Sequence, residues 1–201
     1  MDPRDLLPID PQLLNAGNPT VIVAAQDKAA VDRAWLDLVG LRALKGGETE
    51  PFCVFLFTPT PEGAYSRMFA PEYGVVEDPA TGSSTGPLAA YMIRHKLVSG
   101  KAGTRLVSEQ GTKMGRRSFL HVEIQGEHGA DGIYVGGHVT PVAEGVMKLD
   151  LDADARKNET CGRPARRRSR TVSASYSMRR ATCSPDKIRW KEIGPWTPFA
   201  G

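Results

Sequence analysis

The sequence predicts an α+β fold in which a mixed, largely antiparallel sheet wraps around one central helix. Short runs rich in β-branched and aromatic residues recur between glycine- and proline-containing turns, which is typical of strands. One helical segment, at about 85–97, has no plainly polar face, so we expect other structure to surround it. After Leu151 the chain becomes basic and loses both periodicities, so we expect a disordered basic C-terminal tail.

The first strand and helix lie near the amino terminus. Residues 19–25 form a short apolar run rich in β-branched residues, which indicates a buried strand. Asp27 then stands where a helix N-cap is expected. Apolar residues recur at helical spacing from Val31 to Leu38, and Gly40 offers a C-terminal stop. A single helix is therefore predicted between Asp27 and Gly40.

The remaining elements complete the sheet around the central helix. Strands are predicted at 51–58 and 65–70, separated by a proline-containing turn. The central helix has Pro87 in its first turn, cations in its last turns and Gly100 beyond its end, which is the expected polarity. Further strand-like runs punctuated by glycines follow at 104–108, 118–124, 132–135, 138–143 and 146–149.

The composition excludes several classes of protein. The 201 residues are 40% hydrophobic, enough to bury a core. The polar start does not resemble a secretory signal, and no run approaches the roughly 20 apolar residues of a membrane span. We therefore expect a cytoplasmic protein without membrane contact. The three cysteines form no CxxC pair, and Cys53 is predicted to be a buried apolar filler. The four histidines do not cluster, so no metal site is expected.

The net charge of +3 averages two unlike parts. Residues 1–150 contain 14 Lys and Arg against 18 Asp and Glu, whereas residues 151–201 contain 12 against 5. The body is therefore mildly acidic, and a nucleic-acid partner is not expected for it. The basic tail has an alternative interpretation as a nucleic-acid-binding arm. We predict three segments: an N-terminal extension at 1–12, a folded lobe at 13–150 and the tail at 151–201.

The segment 77–83, Glu-Asp-Pro-Ala-Thr-Gly-Ser, has the residue types of a binding site. It places two adjacent carboxylates before a glycine- and hydroxyl-rich turn at the start of the central helix. Unpaired N–H groups at a helix start, together with the helix dipole, favour a carboxylate or phosphate. Asp78 beside such a site suggests proton transfer to a small acidic molecule. The alternative from spacing alone is that Asp78-Pro79 only makes a turn and Thr85 only caps the helix.

The chain resembles the C-terminal lobe of PhzF-like proteins of phenazine biosynthesis, which share the diaminopimelate epimerase-like fold. The likeness covers about 13–150, and its most specific part is EDPATGSSTGPLA at 77–89. The resemblance implies a two-lobed, cofactor-independent isomerase that moves a proton on a small carboxylate substrate in the cleft between lobes. By motif position, Asp78 matches the acidic pocket residue, and Gly82 and Ser83 match substrate-binding residues.

A second run of the family, at 109–118, is interpreted mainly as turn and packing structure. It contributes Gln110, Gly111, Gly115 and Arg116. The family's principal general base, by contrast, is a glutamate of the N-terminal lobe, and a Gly-His-Pro segment there completes the pocket. No Gly-His-Pro occurs in this sequence, so the chain is expected to be truncated and inactive by itself.

Three other interpretations remain open at this point. Gly82, Ser84 and Gly86 match the GxSxG pattern of a serine hydrolase, with Ser84 as the nucleophile. The lobe could instead be a non-catalytic module that binds small anions or interacts with another protein. An exposed lobe face with Phe69 or Tyr91 would favour self-association, for example as a homodimer.

Overall fold

The computed structural model describes residues 2–45, 49–126, 132–138, 140, 142–143, 145–148, 171–173, 181–183 and 189–192. They fall into two compact units, one comprising 1–137 and 180–201 and the other 138–179. The described strands are β1 (Gln12–Asn15), β2 (Pro19–Ala24), β3 (Cys53–Thr60), β4 (Gly63–Ala70), β5 (Val75–Asp78), β6 (Arg105–Gln110), β7 (Ser118–Ile124), β8 (Ile133–Gly136), β9 (Val146–Lys148), β10 (Thr171–Ser173), β11 (Ala181–Cys183) and β12 (Arg189–Glu192). The α-helices are α1 (Lys28–Arg33), α2 (Leu38–Lys45) and α3 (Gly82–Arg94).

The larger unit contains one mixed sheet. Its strand order is β11-β8-β7-β6-β4-β3-β2-β1-β12, and β5 pairs with β4 beside this path. The β2–β3 and β4–β6 pairs are parallel, and the other described pairs of this sheet are antiparallel. The sheet curls into a half-barrel, so the predicted fold class is confirmed. The smaller unit contains the antiparallel pair of β9 and β10.

Helix α3 lies at the centre of the main core. Leu88, Tyr91 and Met92 are fully buried, and the Tyr91 ring meets Phe57 edge-on with ring centroids 5.8 Å apart. The helix contacts β1, β2, β7 and β8. The prediction of a surrounded central helix is therefore confirmed, although the helix begins at Gly82, a few residues earlier than expected.

The single helix predicted between Asp27 and Gly40 is wrong. Asp27 does cap α1, because its carboxylate accepts a hydrogen bond from the N–H of Ala30 at 2.7 Å. The helix stops at Ala34, whose backbone is extended. The guanidinium of Arg67 donates to the carbonyls of Val31, Asp32 and Ala34, which satisfies acceptors at the helix end. A second helix, α2, then begins, and Gly40 lies within it.

Other strand predictions differ from the structure at defined places. Strands β1 and β5 were not predicted. The strand expected at 138–143 is not formed at positions 138, 140, 142 and 143, which the structure describes. The tail at 151–201 lies mostly outside the described residues. Three short strands within it are described, β10, β11 and β12, and disorder of the remainder stays a prediction.

The expectation that Phe69 and Tyr91 lie on an exposed face is wrong. Phe69 is 7% exposed and stacks under the Arg67 guanidinium, while Tyr91 is 0% exposed. Strongly exposed apolar side chains among the described residues include Trp35, Val39 and Val76 instead. Self-association therefore stays a prediction, but Phe69 and Tyr91 do not provide the surface for it. In the described part of the chain, each helix is too short or too polar to cross a membrane.

Candidate active site

Strand β5 delivers Asp78 to the start of α3. The strand pairs with β4, and Asp78 lies opposite Met68. Side chains of neighbouring strand residues point to opposite faces of a sheet. Glu77 and Asp78 therefore do not form a carboxylate pair, and the two have separate roles.

Glu77 has a structural role. Both of its carboxylate oxygens accept hydrogen bonds from Arg67, at 2.9 and 2.8 Å. The same guanidinium holds the carbonyls at the end of α1, and Arg67 is only 8% exposed. This arrangement leaves Glu77 no freedom to act on a ligand. It fixes β5 and α1 against β4, and thereby the strand that carries Asp78.

Asp78 is half-buried and held by the turn that follows it. The Thr81 hydroxyl donates to Oδ2 of Asp78. The side chain of Gln110 then ties this turn to β6, because its Nε2 donates to the Asp78 carbonyl at 2.6 Å and to the Thr81 hydroxyl at 2.9 Å. Its Oε1 accepts from the Thr81 N–H at 3.2 Å. The Asp78 carboxylate is therefore oriented by a closed polar network.

Gly82 and Ser83 form an exposed first turn of α3. Both are solvent-exposed, and a β-carbon placed on Gly82 would meet nothing within 4 Å. The N-cap residue, Thr81, makes no side-chain hydrogen bond to the helix N–H groups. The start of the helix thus offers N–H donors and the positive end of the helix dipole to an incoming anion. The structure places Asp78 at the end of β5 and Gly82 and Ser83 in the first turn of α3, with three residues between them.

The serine hydrolase alternative is not compatible with the position of Ser84. This residue is 0% exposed and lies inside α3, with its hydroxyl 2.9 Å from that of Thr20 on β2. A nucleophile elbow needs an exposed hydroxyl at a turn from strand to helix. The hydroxyl of Ser84 instead ties the helix to the sheet. Thr85 likewise bonds inward, to the carbonyl of Thr81 at 2.8 Å.

Cys53, the first residue of β3, and Asn18, in the bend between β1 and β2, form a pair whose thiol is affected by the charge of Asp78. Cys53 is 1% exposed, which confirms its prediction as a buried residue, and its sulfur accepts a hydrogen bond from Asn18 at 3.3 Å. Burial raises the pKa of the Cys53 thiol, and the charges of Asp78 and Glu72 raise it further, against the effect of the Asn18 bond. The thiol is therefore an unreactive neighbour of the site.

The 109–118 run packs against the turn, as predicted. Gly111 has φ +77°, and a β-carbon there would lie 2.8 Å from the Pro79 carbonyl oxygen. The packing role of Gln110 was predicted, but its contacts with Thr81 were not, since the two residues are far apart in sequence. Thr81 lies within the predicted 77–83 segment but received no role of its own, because the cap was assigned to Thr85. In the described ranges, no group of three His, Cys, Asp or Glu side chains forms a metal site.

Comparison with known proteins identifies the family. A family model described as phenazine biosynthesis-like protein, PhzC-PhzF, matches residues 5–145. The chain belongs to the PhzC-PhzF family. This membership confirms the resemblance carried by the EDPATGSSTGPLA run, and it places the Asp78 turn within the matched region.

Individual members of the PhzC-PhzF family share only part of their length with this chain. Trans-2,3-dihydro-3-hydroxyanthranilate isomerase of Pseudomonas aeruginosa is 41% identical over 81 residues, which are 40% of this chain and 28% of that protein. The uncharacterized isomerase YddE of Escherichia coli K12 is 30% identical over 123 residues, 60% and 41% of the two chains. The chain spans less than half the length of these curated relatives.

A solved structure of a predicted epimerase from Pseudomonas aeruginosa shows the same fold. It superposes with a TM-score of 0.51 at 30% identity, over 69% of this chain and 45% of that one. The described lobe therefore corresponds to less than half of that protein.

Proposed function

We propose that this chain carries one wall of the active site of a PhzF-type isomerase, which moves a proton on a small carboxylate-bearing substrate without a cofactor. The observation that carries the proposal is the position of the Asp78 carboxylate beside the uncapped start of α3. The carboxylate of Asp78 can donate or accept a proton, and the start of α3 can bind an anion. The family membership and the isomerase names of its relatives support this assignment.

The roles of the residues follow from their positions. The exposed N–H groups of Gly82 and Ser83 bind the substrate carboxylate at the positive end of the helix dipole. This places the neighbouring carbon skeleton in front of Asp78. Asp78, oriented by Thr81, then donates or accepts the transferred proton. Glu77 takes no part, because Arg67 holds both of its oxygens.

The wall is incomplete as a catalyst. General acid–base catalysis needs donor and acceptor within hydrogen-bond reach of the moving proton. In PhzF-like proteins the principal base is a glutamate of the other lobe. We infer that residues outside this sequence supply that wall, and that these 201 residues bind the substrate weakly and do not turn it over. A second candidate function is that of a non-catalytic anion-binding module, because anion binding needs only the groups at the start of α3.

Binding at the predicted place can be tested by NMR. Adding trans-2,3-dihydro-3-hydroxyanthranilate to the ¹⁵N-labelled chain should shift the amide signals of Gly82 and Ser83 most strongly, with saturation. The matched variant Asp78→Asn should keep this response, because it removes a neighbouring negative charge and leaves the helix N–H groups in place. Shifts centred elsewhere, or no saturable response at these amides, would overturn the proposed site.

A further inference from the structure

Gln110 is a fully buried side chain whose amide orientation is determined by the backbone. Its Oε1 faces the N–H of Thr81, which can only donate, and its Nε2 faces the carbonyl of Asp78, which can only accept. If the amide were flipped, its nitrogen would face the Thr81 N–H, so that two donors would meet, and its oxygen would face the Asp78 carbonyl, so that two acceptors would meet. The nitrogen of Gln110 therefore also faces the Thr81 hydroxyl, at 2.9 Å, and donates to it.

This donation fixes the direction of the next hydrogen bond. A hydroxyl has one proton to donate. Because Thr81 Oγ1 accepts from Gln110, its own proton is available for Oδ2 of Asp78, the other polar atom that it contacts. Oδ2 is consequently an acceptor in this network. In the hydrogen bonds of the described residues, Oδ2 is the carboxylate oxygen of Asp78 that accepts, and Oδ1 is not engaged.

The same contacts leave the start of α3 without a side-chain cap. Threonine at an N-cap commonly turns its hydroxyl oxygen toward the N–H groups of the first turn. Thr81 occupies this position in α3 but makes no such bond. Its hydroxyl is held between Gln110 and Asp78 instead, so the exposed turn at Gly82 and Ser83 keeps its donors for a ligand.

We propose that Gln110 is a positioning residue of this site, which commits the Thr81 hydroxyl to Asp78 and so assigns proton transfer to Oδ1 while keeping the start of α3 open for a carboxylate. The inference rests on the proposed function for the identity of the ligand and the role of Asp78. It adds that one buried amide couples the proton-handling group to the anion site.

The network can be measured directly in the unmodified chain. The Nε2 protons of Gln110 should exchange with water about 100-fold more slowly than those of Gln125, because Gln110 is fully buried and Gln125 is exposed. The Thr81 hydroxyl proton should be visible by NMR and close to the Gln110 amide protons. It should persist in Thr81→Ser, which retains a hydroxyl. Exchange at Gln110 as fast as at Gln125 would overturn the proposal.

A double-mutant cycle tests the coupling, with benzoate as the anion probe. Gln110→Met removes the donor and frees the Thr81 hydroxyl to cap the helix in competition with the anion. From the usual strength of a cap, this should weaken benzoate binding by roughly three- to tenfold. In the Thr81→Val background, where no hydroxyl can cap, the same substitution should change the affinity less than about twofold. Equal losses in both backgrounds would show a merely structural role and overturn the proposal.

The outcomes separate this inference from the proposed function. If the unmodified chain does not bind benzoate at Gly82 and Ser83, the anion site fails, while the proximity of the Thr81 hydroxyl proton to the Gln110 amide protons still tests the hydrogen-bond direction. If benzoate binds but the cycle shows no coupling, the proposed function stands and the role of Gln110 is overturned. If Gln110→Met does not fold, the exchange rates and Thr81→Ser decide the inference alone.

Discussion

Gly111 and Pro79 approach so closely that no side chain fits between them. A β-carbon on Gly111 would lie 2.8 Å from the Pro79 carbonyl oxygen and 2.4 Å from that of Arg116. Gly111 also has φ +77°, which favours glycine. This contact holds the end of β6 against the turn that follows Asp78, so the geometry of the candidate site depends on a buried glycine outside the predicted site residues.

Replacing Gly111 with alanine should therefore disturb both stability and the site. We expect Gly111→Ala to lower the free energy of unfolding by about 3 kcal/mol or more, because steric overlap adds to the cost of the left-handed backbone. Gly115→Ala is the matched control. Gly115 has φ +69° but open space around its β-carbon position, so the loss should be only about 1 kcal/mol. Urea denaturation measures both, and equal losses would contradict the close contact.

Because the ion pair of Arg67 and Glu77 is buried, we expect that lysine cannot replace arginine at position 67 without a loss of stability. Lysine cannot reproduce the two parallel bonds to Glu77 together with the bonds to the end of α1. Arg67→Lys should therefore cost about 2 kcal/mol or more of unfolding free energy. Arg117→Lys is the control, because Arg117 also makes two bonds to a glutamate, Glu109, but its side chain is 60% exposed. Its replacement should leave stability unchanged, and a similar loss in both variants would contradict the argument from burial.

The burial of His95 predicts that the folded protein loses stability in mild acid. Burial lowers the pKa of His95 from its ordinary 6.5, and the charge of Arg94 lowers it further against the attraction of Asp10. Its Nε2 is buried without a partner among the described residues, and its ring lies 4.4 Å from that of Tyr91. At pH values between 6.5 and the lower pKa of the folded protein, the unfolded chain binds a proton at His95 that the folded chain does not.

The contribution of His95 should thus be complete above pH 6.5 and decrease as the pH falls below it. His95→Phe keeps a ring beside Tyr91 and removes the titrating group, so the stability of this variant should depend less on pH just below 6.5. Urea denaturation at a series of pH values compares the two proteins. An unchanged pH dependence in His95→Phe would show that another group is responsible.

Much of the fold was accessible from the sequence because its strongest signals are local. The stretch from Leu88 to Ile93, which has no plainly polar face, predicted a surrounded helix, and β-branched runs predicted most strands. The helix break at Ala34 was not accessible, since it depends on the guanidinium of Arg67, which is distant in sequence. Strand β5 was missed because Val75 and Val76 are exposed and the strand is stabilised by pairing with β4.

The candidate site was predicted in outline but not in its connections. The motif predicted Asp78, Gly82 and Ser83, and the structure places them at the end of β5 and the start of α3. The local pattern could not separate Glu77 from Asp78, because their difference arises from the alternating faces of β5. Nor could it reveal that Thr81 bonds to Asp78, because that depends on Gln110 of a different strand.

The central claim, that this chain is one wall of a two-sided site, is tested most directly by deuterium incorporation. The purified 201-residue chain is incubated in D₂O with trans-2,3-dihydro-3-hydroxyanthranilate, and the deuterium content of the recovered compound is compared with that from Asp78→Asn. Incorporation by the two proteins should be equal and no faster than in buffer, because we propose that the second proton-transfer group belongs to residues outside this sequence. Turnover by the unmodified chain that Asp78→Asn abolishes would contradict the account and show a complete active site within these residues.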